Sequence, residues 1–385
     1  MTLNKRDFLN KTKKDFYEEI KKYQKSLKPT KEIEGFAGSS IVGEKNYPNI
    51  KIHNISNENK NNHYMKTSEI VKRDYSDIIK AKARNILGST ESINIRKSDE
   101  KIKKEIEDIY KSKNEVNFTS KFQNELKFDK IILNKFSGIV GNKNEITNIE
   151  SNENTKTSKK IEKYTLGDIK AKNAVIDLYE KGTNEHQIIN LLSIGSFGKQ
   201  INKKLVPTRW AITTYDKIIE EFLFKKIYNN KIDNFYRLFY SIDKGNEFLI
   251  LTLPDNIKGT IIEKFSINKE IDSFNDYNKL DKKEPMTAGG YYSTKLSIFE
   301  HLHKSKRQSS FISSRIIKEY DIPLGVVFVR EMVRKAMKTQ ILKSNSFEEV
   351  KEFINLNYSN HLNDIINSKT IKQHNSQKKL SNFFN

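Results

Sequence analysis

Cysteine is absent from this 385-residue chain. Disulfides, thiolate zinc sites, iron–sulfur clusters and a cysteine nucleophile are excluded within it, and it needs no oxidising compartment. Long apolar runs are missing too. The longest, such as residues 324–329, fall far short of the roughly 20 residues that span a bilayer. The opening stretch MTLNKRDFLNKTKKDF has no apolar core and does not read as a secretory signal. A soluble, cytoplasmic protein is expected. Tryptophan occurs once and proline six times.

Negative charge is in deficit. Lys and Arg number 70 against 49 Asp and Glu, a net charge of +21. A coding bias toward Lys, Asn and Ile would raise Asp and Glu as well. The uncompensated excess therefore points to a polyanionic partner, nucleic acid, and a nucleoid-associated location. The chain is polar for a globular protein, with 36% hydrophobic residues, yet 22 Phe and 17 Tyr leave apolar area for a core.

Apolar spacing predicts a basic amphipathic helix over residues 5–26, on a stripe of Phe8, Leu9, Phe16, Ile20 and Tyr23. Residues 35–55 read as loop and strand, 68–87 as helix, 90–127 as partly helical and 129–142 as a strand with a turn. Residues 143–160 are low-complexity and polar. They hold too little apolar area to order themselves, so a flexible insertion is expected. Thr165 with Asp168 resembles a capping box for a helix to about residue 181, and Asn184 with Gln187 another. A helix is expected at 213–228, then paired strands at 235–241 and 247–253 turning at Lys244–Gly245. Helices follow at 290–305 and 325–338, with a strand at 311–317. Ser346 with Glu349 caps a helix to about residue 366, and a polar linker starts near Asn367. Helices and short strand pairs mix without a βαβ rhythm. The fold class is α+β, with mixed helices, short antiparallel strands, flexible polar insertions and a disordered C-terminal tail.

The tail reads Gln377-Lys-Lys-Leu380-Ser-Asn-Phe383-Phe384-Asn. Leu380, Phe383 and Phe384 stand at i, i+3 and i+4, so one helical or 3₁₀ turn projects them from one side. So short a segment cannot bury three large apolar groups on itself; they need a partner's pocket. Gln377 offers a donor and an acceptor to a second, polar site. Glutamine, two residues, an aliphatic, two residues and two aromatics form the pattern of a peptide that binds the DNA sliding clamp (PCNA).

Candidate nucleic-acid contacts cluster after Gly195 and Gly198. Lys199, Lys203 and Lys204 lead to Arg209 and Trp210, a grouping that suits a phosphate backbone with a base stacked nearby. The alternative places Trp210 in the core and the lysines in solvent. Arg307, Arg315, Arg330 and Arg334 stand out because Arg is scarce here. Arg330 and Arg334 share a helix face at i, i+4, and an internal salt-bridge network explains them equally well. Asp216 and Glu220, also at i, i+4, are either metal carboxylates or a plain acidic face. His301 and His303 diverge at i, i+2 and read as surface residues. No catalytic residue and no cofactor is assigned.

Several blocks resemble one family. Phe36-Ala-Gly-Ser-Ser40, Val42-Gly43 and Tyr47-Pro48-Asn49-Ile50 resemble the opening signature of the archaeal Nre family. Leu205 to Thr213, Gly289-Gly290-Tyr291-Tyr292, Lys306-Arg307-Gln308 and Pro323-Leu324-Gly325-Val326, with Val329-Arg330-Glu331 and Arg334, continue the resemblance in order. Some family members carry an N-terminal Cys-based zinc element; a Lys-rich segment stands here instead. The resemblance implies a DNA repair role and a terminal clamp motif. It divides the chain into a basic helix (1–30), an N-terminal-type domain (31–270), a C-terminal-type helical region (280–366), and a linker with the clamp-binding tail (367–385). The expected function is a DNA repair protein recruited by the clamp and binding DNA directly. Two alternatives stay open: a nuclease using a divalent metal, and a non-enzymatic adaptor between the clamp and a protein.

Overall fold

The computed structural model describes residues 18, 22, 30–57, 71–74, 77–78, 86–96, 101–112, 116–126, 132–134, 138–140, 143–152, 157–265, 270–276, 288–318 and 324–376. Apart from Glu18 and Lys22, which are helical, the basic helix expected at 5–26 lies outside the described residues, as does the expected clamp motif, Gln377, Leu380, Phe383 and Phe384. The described chain divides into two compact units at Ile219/Glu220, with Leu324 counted in the first.

The amino-terminal unit is built on a barrel. Its strands are β1 (Glu32–Val42), β3 (Ile52–Asn57), β4 (Ile86–Ser89), β6 (Asn117–Phe122) and β9 (Lys143–Ser151), closed in the order β1-β3-β4-β9-β6. β4 and β9 run parallel; the other pairings are antiparallel. The short strands β2 (Asn49–Ile50) and β5 (Ile93–Asn94) pair with each other, as do β7 (Ile132–Asn134) and β8 (Gly138–Val140). Strict alternation along β6 buries Phe118, Ser120 and Phe122, the period-2 pattern of a half-buried strand. Helix α1 (Lys101–Lys111) lies between β4 and β6 in sequence and buries Ile106, Ile109 and Tyr110.

Three helices follow: α2 (Lys159–Leu166), α3 (Ala171–Glu180) and α4 (Glu185–Ser193). Gly195 turns the chain after α4 at φ +79°, with the Lys204 backbone pressed against the place of a Cβ, so a side chain there is strained twice over. Helix α5 (Thr208–Ile227) contains the division between the units.

The carboxy-terminal unit is a sheet covered on both faces. Its strands are β11 (Tyr236–Asp243), β12 (Asn246–Leu253), β13 (Gly259–Phe265), β14 (Glu270–Asp276), β16 (Ser310–Ile317) and β17 (Gln340–Ser344), in the order β14-β13-β16-β12-β11-β17. The turn at Lys244 and Gly245 takes φ +45° and +68°, the geometry of a tight hairpin. Every residue of β12 and β16 is buried, as expected of strands covered on both sides. Leu249, Leu251 and Leu253 pack with Val350, Ile354, Ile365 and Ile371. These come from α8 (Phe347–Asn357), α9 (Ser359–Asn367) and α10 (Lys369–Ser376). On the other face Phe311 meets Phe299 of α6 (Ala288–Ser305) at 6.0 Å, and Ser241 donates to Met332 O of α7 (Gly325–Ala336). The two-stranded β10 (Lys231–Ile232) and β15 (Arg307–Gln308) complete the unit. The α+β class is as expected.

Several expectations fail locally. The end of the helix expected at 68–87 is strand β4, and the helix capped by Ser346 stops at Asn357, with α9 a separate helix. Residues 143–151 are not a flexible insertion, because pairing with β4 and β6 satisfies their backbone and buries Ile146 and Ile149. Thr165 does not cap a helix; it sits in the last turn of α2, where its hydroxyl bonds Glu162 O, and Asp168 accepts from Gln200 N. The polar segment from Asn367 is not a linker as far as Ser376, because α10 is docked. Ile371 is 2% exposed, Thr370 and Thr260 hydroxyls meet at 2.7 Å, and His374 Nε2 lies 2.9 Å from the Tyr236 hydroxyl.

Ile371→Ala is therefore expected to lower unfolding free energy by about 2–4 kcal/mol in urea titration. A change within about 0.5 kcal/mol, typical of surface sites, would show α10 to be undocked.

Candidate nucleic-acid interface

The loop from β1 to β3 is almost wholly exposed from Glu44 to Asn49. β2, within it, ties it to β5, and Ile95 N donates to Pro48 O at 3.0 Å. Leu205 N donates to Ile95 O at 2.9 Å, and Val42 N to the Thr208 hydroxyl at 2.8 Å. Three segments distant in sequence are thus joined through backbone bonds: 42–51, 93–96 and 204–210. They form one ledge on the amino-terminal unit.

The ledge carries two exposed aromatics. Tyr47 is 43% exposed and Trp210 45%, with ring centroids 5.3 Å apart and planes tilted by 47°. Trp210 is therefore not a core residue. Half of each large ring stays in water, which favours a partner that covers it. Lys45, Arg96, Lys204 and Arg209 are exposed on the same three segments. Arg209 Nη1 also lies 3.5 Å from Glu44, with both side chains nearly half exposed, a pair of small energetic weight. Arg96, Lys45 and Tyr47 were not singled out from sequence. Tyr47 alone carried a signal, the match of the Tyr47-Pro48 block to the family signature.

Other expected contacts fall elsewhere. Lys203 turns inward and donates to Thr165 O; burial pushes its ammonium below the ordinary lysine value. Lys199 is exposed beside the 3₁₀ turn Gln200–Asn202, and Arg307 is exposed on β15 of the other unit. Arg330 is completely buried in α7, so its guanidinium cannot reach a phosphate backbone. Arg334 is clamped by Glu300, with Nε and Nη2 each 2.8 Å from a carboxylate oxygen, and by Glu331 at 2.6 Å. Arg315 donates to Glu263 at 2.7 Å and to Asn246. Arg315 and Arg334 thus bind the fold together through internal ion pairs, the alternative left open by the sequence.

The carboxylates considered for metal are both buried. Asp216 is fully buried, and Glu220 pairs with Lys295 at 3.2 Å, both side chains under 10% exposed. Among the described residues no three His, Asp or Glu side chains group as a metal site. Of the two histidines read as surface residues His303 is exposed, whereas His301 is partly buried: it packs edge-on against Phe239 at 5.1 Å, and burial lowers its pKa.

A separate polar network crosses the carboxy-terminal unit. The Ser314 hydroxyl lies 2.8 Å from His361 Nδ1 and donates to Asp364 at 3.1 Å; His361 Nε2 lies 3.6 Å from Glu247. It has the members of a hydrolytic triad, but Ser314 and His361 are completely buried, and no substrate atom can approach the hydroxyl. The His361 contact, then Lys318, hold the Glu247 carboxyl down at about 2. Sequence separations of 47 and 50 residues hide this network from motif reading.

No helix among the described residues is long and apolar enough to cross a membrane. Residues 9–269 match the family model described as archaeal Nre, N-terminal, and residues 275–383 the one described as archaeal Nre, C-terminal. The DNA repair protein NreA of Archaeoglobus fulgidus is 32% identical over 51% of this chain and 52% of its own length. NreB of the same organism, also named a DNA repair protein, is 28% identical over 58% and 60%. The DNA repair protein NreA of Haloferax volcanii is 27% identical over 49% and 48%. The chain thus spans about half the length of these relatives, and no solved structure gives a significant match.

Two outcomes are expected from the buried charges. Glu220→Gln should cost on the order of 3 kcal/mol by leaving Lys295 without its carboxylate, and Mg²⁺ or Mn²⁺ should not shift the melting temperature of either form. A metal-dependent rise lost in the variant would mark Glu220 as a ligand. Glu247 has a folded pKa below its unfolded value near 4.5, so its stabilisation is full above that value and is lost as pH falls toward 2. Urea stability between pH 6 and pH 2.5 should fall less steeply in Glu247→Gln than in the parent; equal slopes would remove Glu247 from the acid response.

Proposed function

This chain belongs to the archaeal Nre family, and from that premise we propose that it is a DNA repair protein delivered to DNA by the sliding clamp. The observation that carries the reading is the spacing of Gln377, Leu380, Phe383 and Phe384. That spacing sets three apolar anchors on one side of a turn and a glutamine one turn before them. Support comes from three further directions. The relatives are named DNA repair proteins. The net charge of +21 favours a polyanion. The helix α10 ends one residue before Gln377 and is pinned to the sheet by Ile371 and Thr370, so the motif starts from a fixed point on the folded body.

In this reading the clamp supplies residence on DNA and the ledge supplies contact with it. Tethering turns a weak second contact into an intramolecular one, so the ledge needs little affinity of its own. Lys378 and Lys379 add favourable charge toward an acidic clamp surface. A DNA-contacting role is favoured over a pure adaptor because exposed aromatics and cations share the ledge.

Titration of the full chain against archaeal sliding clamp tests the recruitment. Phe383→Ala with Phe384→Ala is expected to weaken binding at least about 100-fold, two anchors each contributing about 2 kcal/mol or more. Unchanged affinity in the double variant would sink the reading.

A further inference from the structure

The barrel of the amino-terminal unit has a distinctive connectivity. Numbered along the chain, β1, β3, β4, β6 and β9 are its first to fifth strands, and they close in the order first, second, third, fifth, fourth. The third and fifth run parallel. Helix α1 falls between the third and fourth. This is the arrangement of the oligonucleotide/oligosaccharide-binding barrel, whose ligands are held by the second and third strands and the loops joining the first to the second and the fourth to the fifth.

In this chain the loop joining the first strand to the second is residues 43–51, the one that carries Tyr47 and, through Pro48 and Ile95, holds the ledge with Trp210. Part of the usual binding face is occupied by the protein itself. A Cβ at Gly88 would meet Ile146 Cδ1 at 2.9 Å, so Gly88 faces the interior and the adjacent Ser89 faces out. Ser89 and His53 are nevertheless buried and share a 2.9 Å hydrogen bond. The open part of the ligand path is the loop end, where the two aromatics and the cations are.

We propose that this ledge is a binding site for a short stretch of single-stranded DNA, with bases stacked on Tyr47 and Trp210 and phosphates held by Lys45, Arg96, Lys204 and Arg209. The proposal deepens the DNA-binding reading above and rests on it. The ring faces decide for a single strand. A duplex hides its base faces in its own stack, whereas an unpaired base presents one to each half-exposed ring. The cations decide for nucleic acid over a neutral oligosaccharide, the other ligand class of such barrels.

The test uses the full chain with fluorescein-labelled oligo(dT), a duplex of the same length and oligo(U), followed by anisotropy. Trp210 is the only tryptophan, so its own fluorescence reports stacking directly. The expected result is preference for oligo(dT) over duplex, quenching of Trp210 on binding, and a loss of about tenfold or more in Tyr47→Ala and in Trp210→Ala. Tyr47→Phe should retain affinity, and all variants should stay folded, with cooperative melting, because both residues are exposed on the ledge rather than sealed in the core. With about four phosphates contacted, the logarithm of affinity should fall against the logarithm of salt with a slope of about −3. Equal affinity for duplex with no quenching overturns the single-strand site and leaves DNA binding standing. Oligo(dT) binding indifferent to both alanine variants overturns the site as placed. Tighter binding of oligo(U) assigns the ledge to RNA and overturns DNA as its ligand. Absence of binding to any of the three removes the DNA-contact reading itself.

Discussion

The double burial of one strand organises the carboxy-terminal unit. Asn246–Leu253 pairs with a neighbour on each side and exposes neither face. Two apolar faces must then be covered, and only helices on both sides do this: α6 and α7 against one, α8 to α10 against the other. Docking of α10 follows from that demand, since Ile371 completes a cluster built on Leu249, Leu251 and Leu253. A segment whose composition reads as solvated linker is ordered because the sheet offers Ile371 and Thr370 somewhere to go.

The same burial explains where the charges went. Arg315, Glu263, Lys295, Glu220 and Glu331 are each at most 8% exposed, and burying a charge is costly unless it is paired. The unit meets this with short contacts, such as Arg315 to Glu263 at 2.7 Å. Two of the chain's scarce arginines, Arg315 and Arg334, are spent inside the fold, where a planar guanidinium satisfies several acceptors at once, as Arg334 does with Glu300 and Glu331.

The ledge depends on a different device. Backbone hydrogen bonds from Leu205 to Ile95 and from Ile95 to Pro48 bring their segments together, and the barrel holds the loop that bears Tyr47. Rings left half in water by a rigid backbone frame are suited to a ligand that arrives and leaves. In the proposed division of labour the clamp motif brings the protein to DNA and the ledge samples what is there.

The sequence by itself determined the period-coded elements: the β11–β12 hairpin at Lys244–Gly245, helices α6 and α7, the strand β16, and the capped start of α8 at Ser346. It also carried the family blocks and the Gln377, Leu380, Phe383 and Phe384 spacing on which the clamp proposal rests. These are local properties, set by side-chain alternation, turn conformation and capping within a few residues. Tertiary structure alone decided that residues 143–151 close a barrel, that α10 docks, that Arg330 is sealed inside while Trp210 is not, and that Tyr47 joins Trp210. Each of these depends on partners tens to more than a hundred residues away. A chain read in order cannot show which polar segment will find a strand edge, or which aromatic will be left in water.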